Sequence, residues 1–269
     1  MIETLKLIIE EHKSFRRQIF KLAESDLIRT YRGAALGWAW ALVKPLITLF
    51  VFWFGFTVGL RSGKPINGYP YFLWLLAGFL PWFYMRDIIP GGAECIRKYK
   101  HLVTKIKFPI SIIPTFTNLS HLVVHMVLCV ISLAVFFIWG FRPDVYLLQI
   151  PFYMLLMFAF FEVWSMFAGM LAAMSKDFLN LVKSFVQALF WLSGVIYDVN
   201  RIHNPIVRTI LKFNPVTVIS GGYRKALIYK EWFWQDRVEM LGYMTTFLVF
   251  FILALWAYKK LRKDIPDVL

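Results

Sequence analysis

The chain has 269 residues, of which 59% are hydrophobic and 17% charged, with 27 Phe, 12 Tyr and 11 Trp. A chain this apolar and aromatic is neither disordered nor a disulfide-stapled secreted domain, and its two cysteines, Cys95 and Cys129, fall in a basic stretch and an apolar run where pairing is not expected. Thirty Lys and Arg against 16 Asp and Glu leave a formal charge of +14, which in such a chain is read against a bilayer before nucleic acid.

Residues 1–30 predict an amphipathic interface helix. Leu5, Ile8, Ile9, Phe15, Ile19 and Leu22 recur at three- and four-residue steps, while Glu3, Lys6, Glu10, Lys13, Arg17 and Lys21 take the other face. Such a helix lies along the membrane surface or against a soluble partner. Charged and polar residues precede the first apolar run, so no secretory leader is expected. Residues 31–269 then form one membrane domain, because a bilayer makes backbone groups bond internally and each crossing takes about 20 apolar residues. Six spans are predicted: 36–60, interrupted by Lys44; 69–85, with Pro70 and Pro81 near its ends; 108–141; 145–175; 178–197, with Lys183 inside; and 240–258. Between Lys107 and Arg142 lie 34 residues without charge. That is roughly 50 Å of helix at about 1.5 Å per residue, so the third span is expected to overhang or to break at Pro114. The fold class is all-α.

Lys and Arg concentrate in loops that stay cytoplasmic. Seven lie before the first span (Lys6, Lys13, Arg16, Arg17, Lys21, Arg29, Arg32), six between the second and third (Arg86, Arg97, Lys98, Lys100, Lys105, Lys107) and four after the last (Lys259, Lys260, Arg262, Lys263), against Arg61 and Lys64 in one opposite loop and Arg142 in another. Both termini are therefore expected on the cytoplasmic side. The connection from Asp198 to Glu239 breaks the pattern with seven basic residues. Its stretch from Phe213 to Tyr223 is too short to span yet too apolar for a loop, and predicts a re-entrant or interfacial helix pair.

Several chemistries lack their motifs. Gly59-Leu60-Arg61-Ser62-Gly63-Lys64-Pro65 has the wrong glycine spacing for a phosphate loop and no following Ser or Thr. No HExxH, CxxC or GxSxG string occurs, and the histidines do not cluster with carboxylates, so no catalytic or metal site is expected. His121 and His125 share a helix face and read as a buried structural pair bonded to neighbouring helices. Glu162, the one acid deep in a span, is expected to pair with Lys44, Lys183 or His121. Residues 94–106 have helical periodicity, with Cys95, Ile96, Tyr99, Leu102, Val103 and Ile106 in one stripe and Arg97, Lys98, Lys100, His101 and Lys105 around it. A stripe so apolar on a cytoplasmic segment needs a cover, either protein or anionic lipid. Gly33 with Gly37 and Gly55 with Gly59 are spaced for close helix approach, a weak signal.

Arg32-Gly33, Leu36-Gly37, Trp40 and Pro45-Leu46 resemble the opening of the ABC-2 type polysaccharide-export permeases. Gly78-Phe79-Leu80-Pro81-Trp82, Lys105-Ile106-Lys107-Phe108-Pro109, and Asn214-Pro215-Val216-Thr217 followed by Tyr223-Arg224 resemble that family in the same order across nearly the whole chain. Within it, the wall teichoic acid permeases are the most similar. The resemblance implies a homodimer joined by two copies of a separate ATPase subunit, which binds Mg-ATP, and export of a polymer carried on undecaprenyl pyrophosphate. In that reading Ile96, Tyr99, Leu102, Val103 and Ile106 dock on the ATPase. Arg29, Arg32 and Lys44 receive the pyrophosphate or lipid at the entrance. The aromatic residues Trp74, Phe79, Trp82, Phe83, Tyr84, Trp191 and Tyr197 line the passage, and Arg201, Arg208, Lys212, Arg224 and Lys225 form an outer gate. An exporter of O-antigen or capsule, an exporter of a drug or small lipid, and a membrane-embedded glycosyl or phosphoryl transferase are the other readings weighed.

Overall fold

The computed structural model describes residues 1–33, 35–60, 63–106 and 108–269; Arg61, Ser62 and Lys107, used above, lie outside them. With so little charge in its long segments the chain satisfies its backbone within helices, and the one β pairing among the described residues is the bridge between Ile66 and Tyr69. Among the described residues five helices are long and apolar enough to cross a membrane: Gly37–Gly59, Tyr71–Lys105, Ile112–Ile138, Val145–Met174 and Arg237–Leu261.

The amino-terminal segment differs from the single helix expected. It forms α1 (Ile2–Ser14) and α2 (Arg16–Tyr31), bent at Phe15, where the backbone turns to φ −103° and ψ 13°. Helix α1 lies against the helix Arg237–Leu261 and α2 lies along the helix Ile112–Ile138, so both are held by protein as well as presenting an exposed face. The first span is α3 (Trp40–Phe54), extended by a widened turn to Gly59. It sits at the periphery against the helix Tyr71–Lys98, with Leu46, Ile47, Phe50, Val51 and Phe54 exposed, as suits a helix facing apolar surroundings.

Helix α4 (Tyr71–Lys98) forms the centre of the molecule and runs past the expected end at residue 85, through Pro81 and Pro90. Burial explains the run-on. Ile88, Ile89, Gly92, Ala93, Cys95 and Ile96 continue the inward stripe after the Arg86-Asp87 pair, so packing holds the helix where charge alone predicts a loop. The chain breaks at Tyr99 and continues as α5 (Lys100–Lys105). Helix α6 (Ile112–Ile138) is unbroken, because Pro114 sits in its first turn, where a missing N–H costs nothing. The excess apolar residues of the third predicted span belong to the lead-in at 108–111 and to the turn after Ile138.

Helix α7 (Gln149–Met174) packs on α4 through small residues. A Cβ on Gly92 would overlap Ser165, and one on Gly169 would lie 3.2 Å from the Gly92 carbonyl. The fifth of the six predicted spans falls on α8 (Lys176–Leu192), which at 17 residues is not among the five membrane-length helices; it is capped by Ser175, which accepts from the Phe178 N–H at 3.3 Å. It stops short of residue 197 because Gly194, at φ +63°, turns the chain. The predicted re-entrant or interfacial pair corresponds to α9 (Pro205–Lys212) and α10 (Pro215–Arg224), each opened by an Asn cap and a Pro at its first turn. Helix α10 is enclosed by α4 and α7, whereas α9 keeps Ile206, Val207 and Ile210 exposed. The last span is α11 (Arg237–Leu261), followed by the short α12 (Ile265–Val268). Cys95 and Cys129 are free, buried and in different clusters.

Candidate functional site

A cleft of about 580 Å³ opens between α2, α3, α4 and α6. Its apolar sides come from Leu27, Trp40, Phe83, Val124 and Leu128, and its polar groups from Tyr31, Lys44, Arg86, Asp87, Ser120 and His121. Lys44 stands 5.9 Å from the Trp40 ring centroid, and Arg86 lies 5.6 Å from that of Phe83 while its Nε contacts Asp87 Oδ1 at 3.1 Å. His121 donates from Nδ1 to the Thr117 carbonyl at 2.8 Å, and its Nε2 lies beside Gly91. Two cations, one anion and aromatic faces around one opening suit an amphiphilic anion with a polar head and an apolar body.

The cleft is framed by a buried anchor that sequence reasoning missed. Asp26 on α2 is 1% exposed; it accepts from Lys98 Nζ and from Ser120 Oγ, each at 2.6 Å, and from the Tyr99 hydroxyl. Burial opposes its charge, but the bonds from Lys98, Ser120 and Tyr99 outweigh that cost and hold its carboxyl below the usual aspartate range. Its register was the available signal, since Ile19, Ala23 and Asp26 share the face that α2 buries.

The predicted entrance residues separate. Lys44 lines the cleft, whereas Arg29 and Arg32 line an adjoining groove on α2 with Lys21 and Glu24. The predicted docking stripe turns inward: Ile96, Tyr99, Leu102 and Val103 are buried with Phe116, Met170 and Ile265, so the chain supplies the cover the stripe needs. Ile106 alone of that set is exposed, beside Lys100, His101, Thr104 and Lys105.

The expected passage lining also divides. Trp74, Phe79 and Trp82 belong to the chain's own core, because other helices pack on that part of α4; Phe83 and Tyr84, though buried, reach the cleft wall. Trp191 is 53% exposed, and Tyr197 is half-buried beside the turn at Gly194. The expected gate cations do not all face outward. Arg224 is 3% exposed, stacked 3.6 Å over the Trp74 ring, and donates to the carbonyls of Gly194 and Val195. Lys225 is buried in an ion pair with Glu239. Lys212 pairs with Asp236, whose burial is outweighed by that cation and the Glu239 N–H, so its carboxyl also titrates below its usual range. Arg201 and Arg208 remain at the surface, Arg208 partly covered.

The expected partners of Glu162 are not those found. Lys183 pairs with Glu94 at 2.8 Å, while Glu162 accepts from Thr115 Oγ1 at 2.6 Å and Asn118 Nδ2 at 3.1 Å. The Thr115 hydroxyl also lies 2.7 Å from His12 Nε2. Of the histidine pair, His125 is buried and bonds Tyr223 on α10 at 2.7 Å, whereas His121 is half-exposed on the cleft.

Five membrane-length apolar helices among the described residues define a multi-pass membrane protein. The chain belongs to the ABC-2 type transporter family, whose model matches residues 17–228. It is similar to an O-antigen export system permease protein RfbA of Myxococcus xanthus, 25% identical over 229 residues, covering 83% of this chain and 85% of that protein. A protein of the same description from Klebsiella pneumoniae is 23% identical over 251 residues, covering 92% and 93%.

Proposed function

We propose that the chain is the membrane subunit of an ATP-driven exporter that moves a polysaccharide attached to undecaprenyl pyrophosphate across the cytoplasmic membrane. The observation that carries the reading is the side cleft with Lys44 and Arg86, where a pyrophosphate and the start of a lipid chain find cationic and apolar partners together. The family membership and the O-antigen permeases among its relatives support a polysaccharide cargo. Wall teichoic acid, suggested by the resemblance within that family, shares the same kind of anchor and is the finer reading.

In this reading two copies of the chain join two ATPase subunits that bind Mg-ATP, with both termini cytoplasmic. The ATPase meets the outward face of the 99–106 turn, formed by Lys100, His101, Thr104, Lys105 and Ile106, while the buried stripe passes its movement into α4. The test is reconstitution with the ATPase subunit in liposomes and titration with a polyprenyl-pyrophosphate-linked glycan. The combined changes Lys44→Glu and Arg86→Glu are expected to raise the cargo concentration for half-maximal stimulation of hydrolysis at least tenfold. Unchanged stimulation and export would refute the cleft as entrance. Loss of ATPase co-purification in Ile106→Asp tests the docking face, and its retention would refute that assignment.

A further inference from the structure

Helix α1 does not seal against the spans. Ile8 is buried near Ala254 and Leu255, but between α1, α7 and α11 a groove of about 480 Å³ remains. That volume is within the range of small-molecule sites, roughly 300–1,000 Å³. Leu5, Ile9, Val163, Met166, Phe251 and Leu255 line it. Lys13 and Arg16 stand at its rim, where α1 bends into α2, and both are exposed without a carboxylate partner among the described residues. Glu162 reaches the groove, but its oxygens already hold Thr115 and Asn118, and Thr115 in turn meets His12.

Depth fixes the environment. The groove meets α11 at Phe251, Ala254 and Leu255, one turn before the cationic end at Lys259 and Lys260, so it lies where a spanning helix passes from acyl chains to headgroups. A glycan finds no row of polar partners there. A free phosphate gains nothing from the apolar walls. We propose that the groove is a binding site for a bilayer phospholipid with an anionic headgroup: one acyl chain lies under α1 against α7 and α11, and the phosphate meets Lys13 and Arg16. The lipid then completes the seat of α1, and its site is separate from the cleft on the other side of α6.

The experiment uses the full chain, delipidated in detergent and studied by native mass spectrometry with phosphatidylglycerol or phosphatidylcholine of identical chains. The unaltered chain is expected to retain phosphatidylglycerol at least tenfold better. The pair Lys13→Glu and Arg16→Glu brings retention of phosphatidylglycerol down to the phosphatidylcholine level. The pair Lys6→Glu and Lys21→Glu, with the same charge change away from the groove, keeps the preference. Ile9→Trp, on a partly exposed position of α1, fills the groove and lowers retention of both lipids. Equal retention of the two lipids by the unaltered chain overturns the proposal. So does equal loss in the two charge-reversed pairs, which would reduce the effect to general surface charge, and so does undiminished binding in Ile9→Trp.

Discussion

Replacing Asp26 with Asn changes shape little but removes the one charge on which three donors converge. Lys98, Tyr99 and Ser120 all point at the carboxylate, and the side chain of Asp26 is 0% exposed, so an amide must turn an NH2 toward at least one of them. A hydrogen bond to a charged group contributes about 1.5–3 kcal/mol. Lys98 is 36% exposed and water recovers much of its share, which leaves the two buried hydroxyls as the main loss. The expected cost is about 2 kcal/mol, or about thirtyfold in an opening equilibrium. The loss is local, because the three partners lie on α4, α6 and the turn at Tyr99, the surface on which α2 rests. Amide exchange in detergent micelles is therefore expected to quicken about thirtyfold over Arg16–Tyr31 while α7 is unchanged. A depressed carboxyl stabilises fully above its unfolded value of about 3.9 and loses that contribution only as pH falls through its lower folded value, so α2 protection, corrected for intrinsic rate, stays level from about pH 8 to pH 5. Exchange over α2 that stays within about twofold, or that quickens equally in every helix, refutes the reasoning.

Other expectations concern α10 and the start of α11. Arg224→Lys keeps the charge but loses the planar stack on Trp74 and the fork to two carbonyls, and is expected to cost about 3 kcal/mol in thermal or denaturant unfolding; a midpoint equal to that of the unaltered chain would contradict it. Glu239→Gln strands Lys225 in a buried site, so the double change Glu239→Gln with Lys225→Met should be more stable than the single one, and the reverse order would show that the pair is solvated. Gly222→Ala places a methyl into the Tyr153 ring and should cost about 1–3 kcal/mol by the same measurement, whereas an unchanged midpoint would mean that the ring moves freely.

The sequence made the long helices and the paired short ones legible, because charge-free length and Asn-Pro openings are local signals. What it left hidden were the directions in which side chains point. In a bilayer, a residue facing lipid and one facing the core are equally apolar, so Phe79 and Trp82 in the core cannot be told from Phe50 and Trp191 at the surface by hydropathy. For the same reason the stripe at Ile96, Tyr99 and Leu102 announced that it needed a cover without revealing that Phe116 and Ile265 provide it. Charge misled in the opposite sense. Arg224 and Lys225 looked like surface cations, and their burial depends on carbonyls of Gly194 and Val195 and on Glu239, partners 14 to 30 residues away in the chain.

Helix α4 is grasped at both ends. Near its start the carbonyl of Trp74 and the ring of the same residue receive Arg224, and at its finish Lys98 holds Asp26. From Trp74 to Lys98 the helix rises about 36 Å at about 1.5 Å per residue. Pro81 and Pro90 each delete one rung of the ladder between them. A twist applied to the turn at Tyr99 therefore reaches the opposite surface through a shaft with two softened joints, and replacing either proline by alanine would stiffen that shaft without touching the grips.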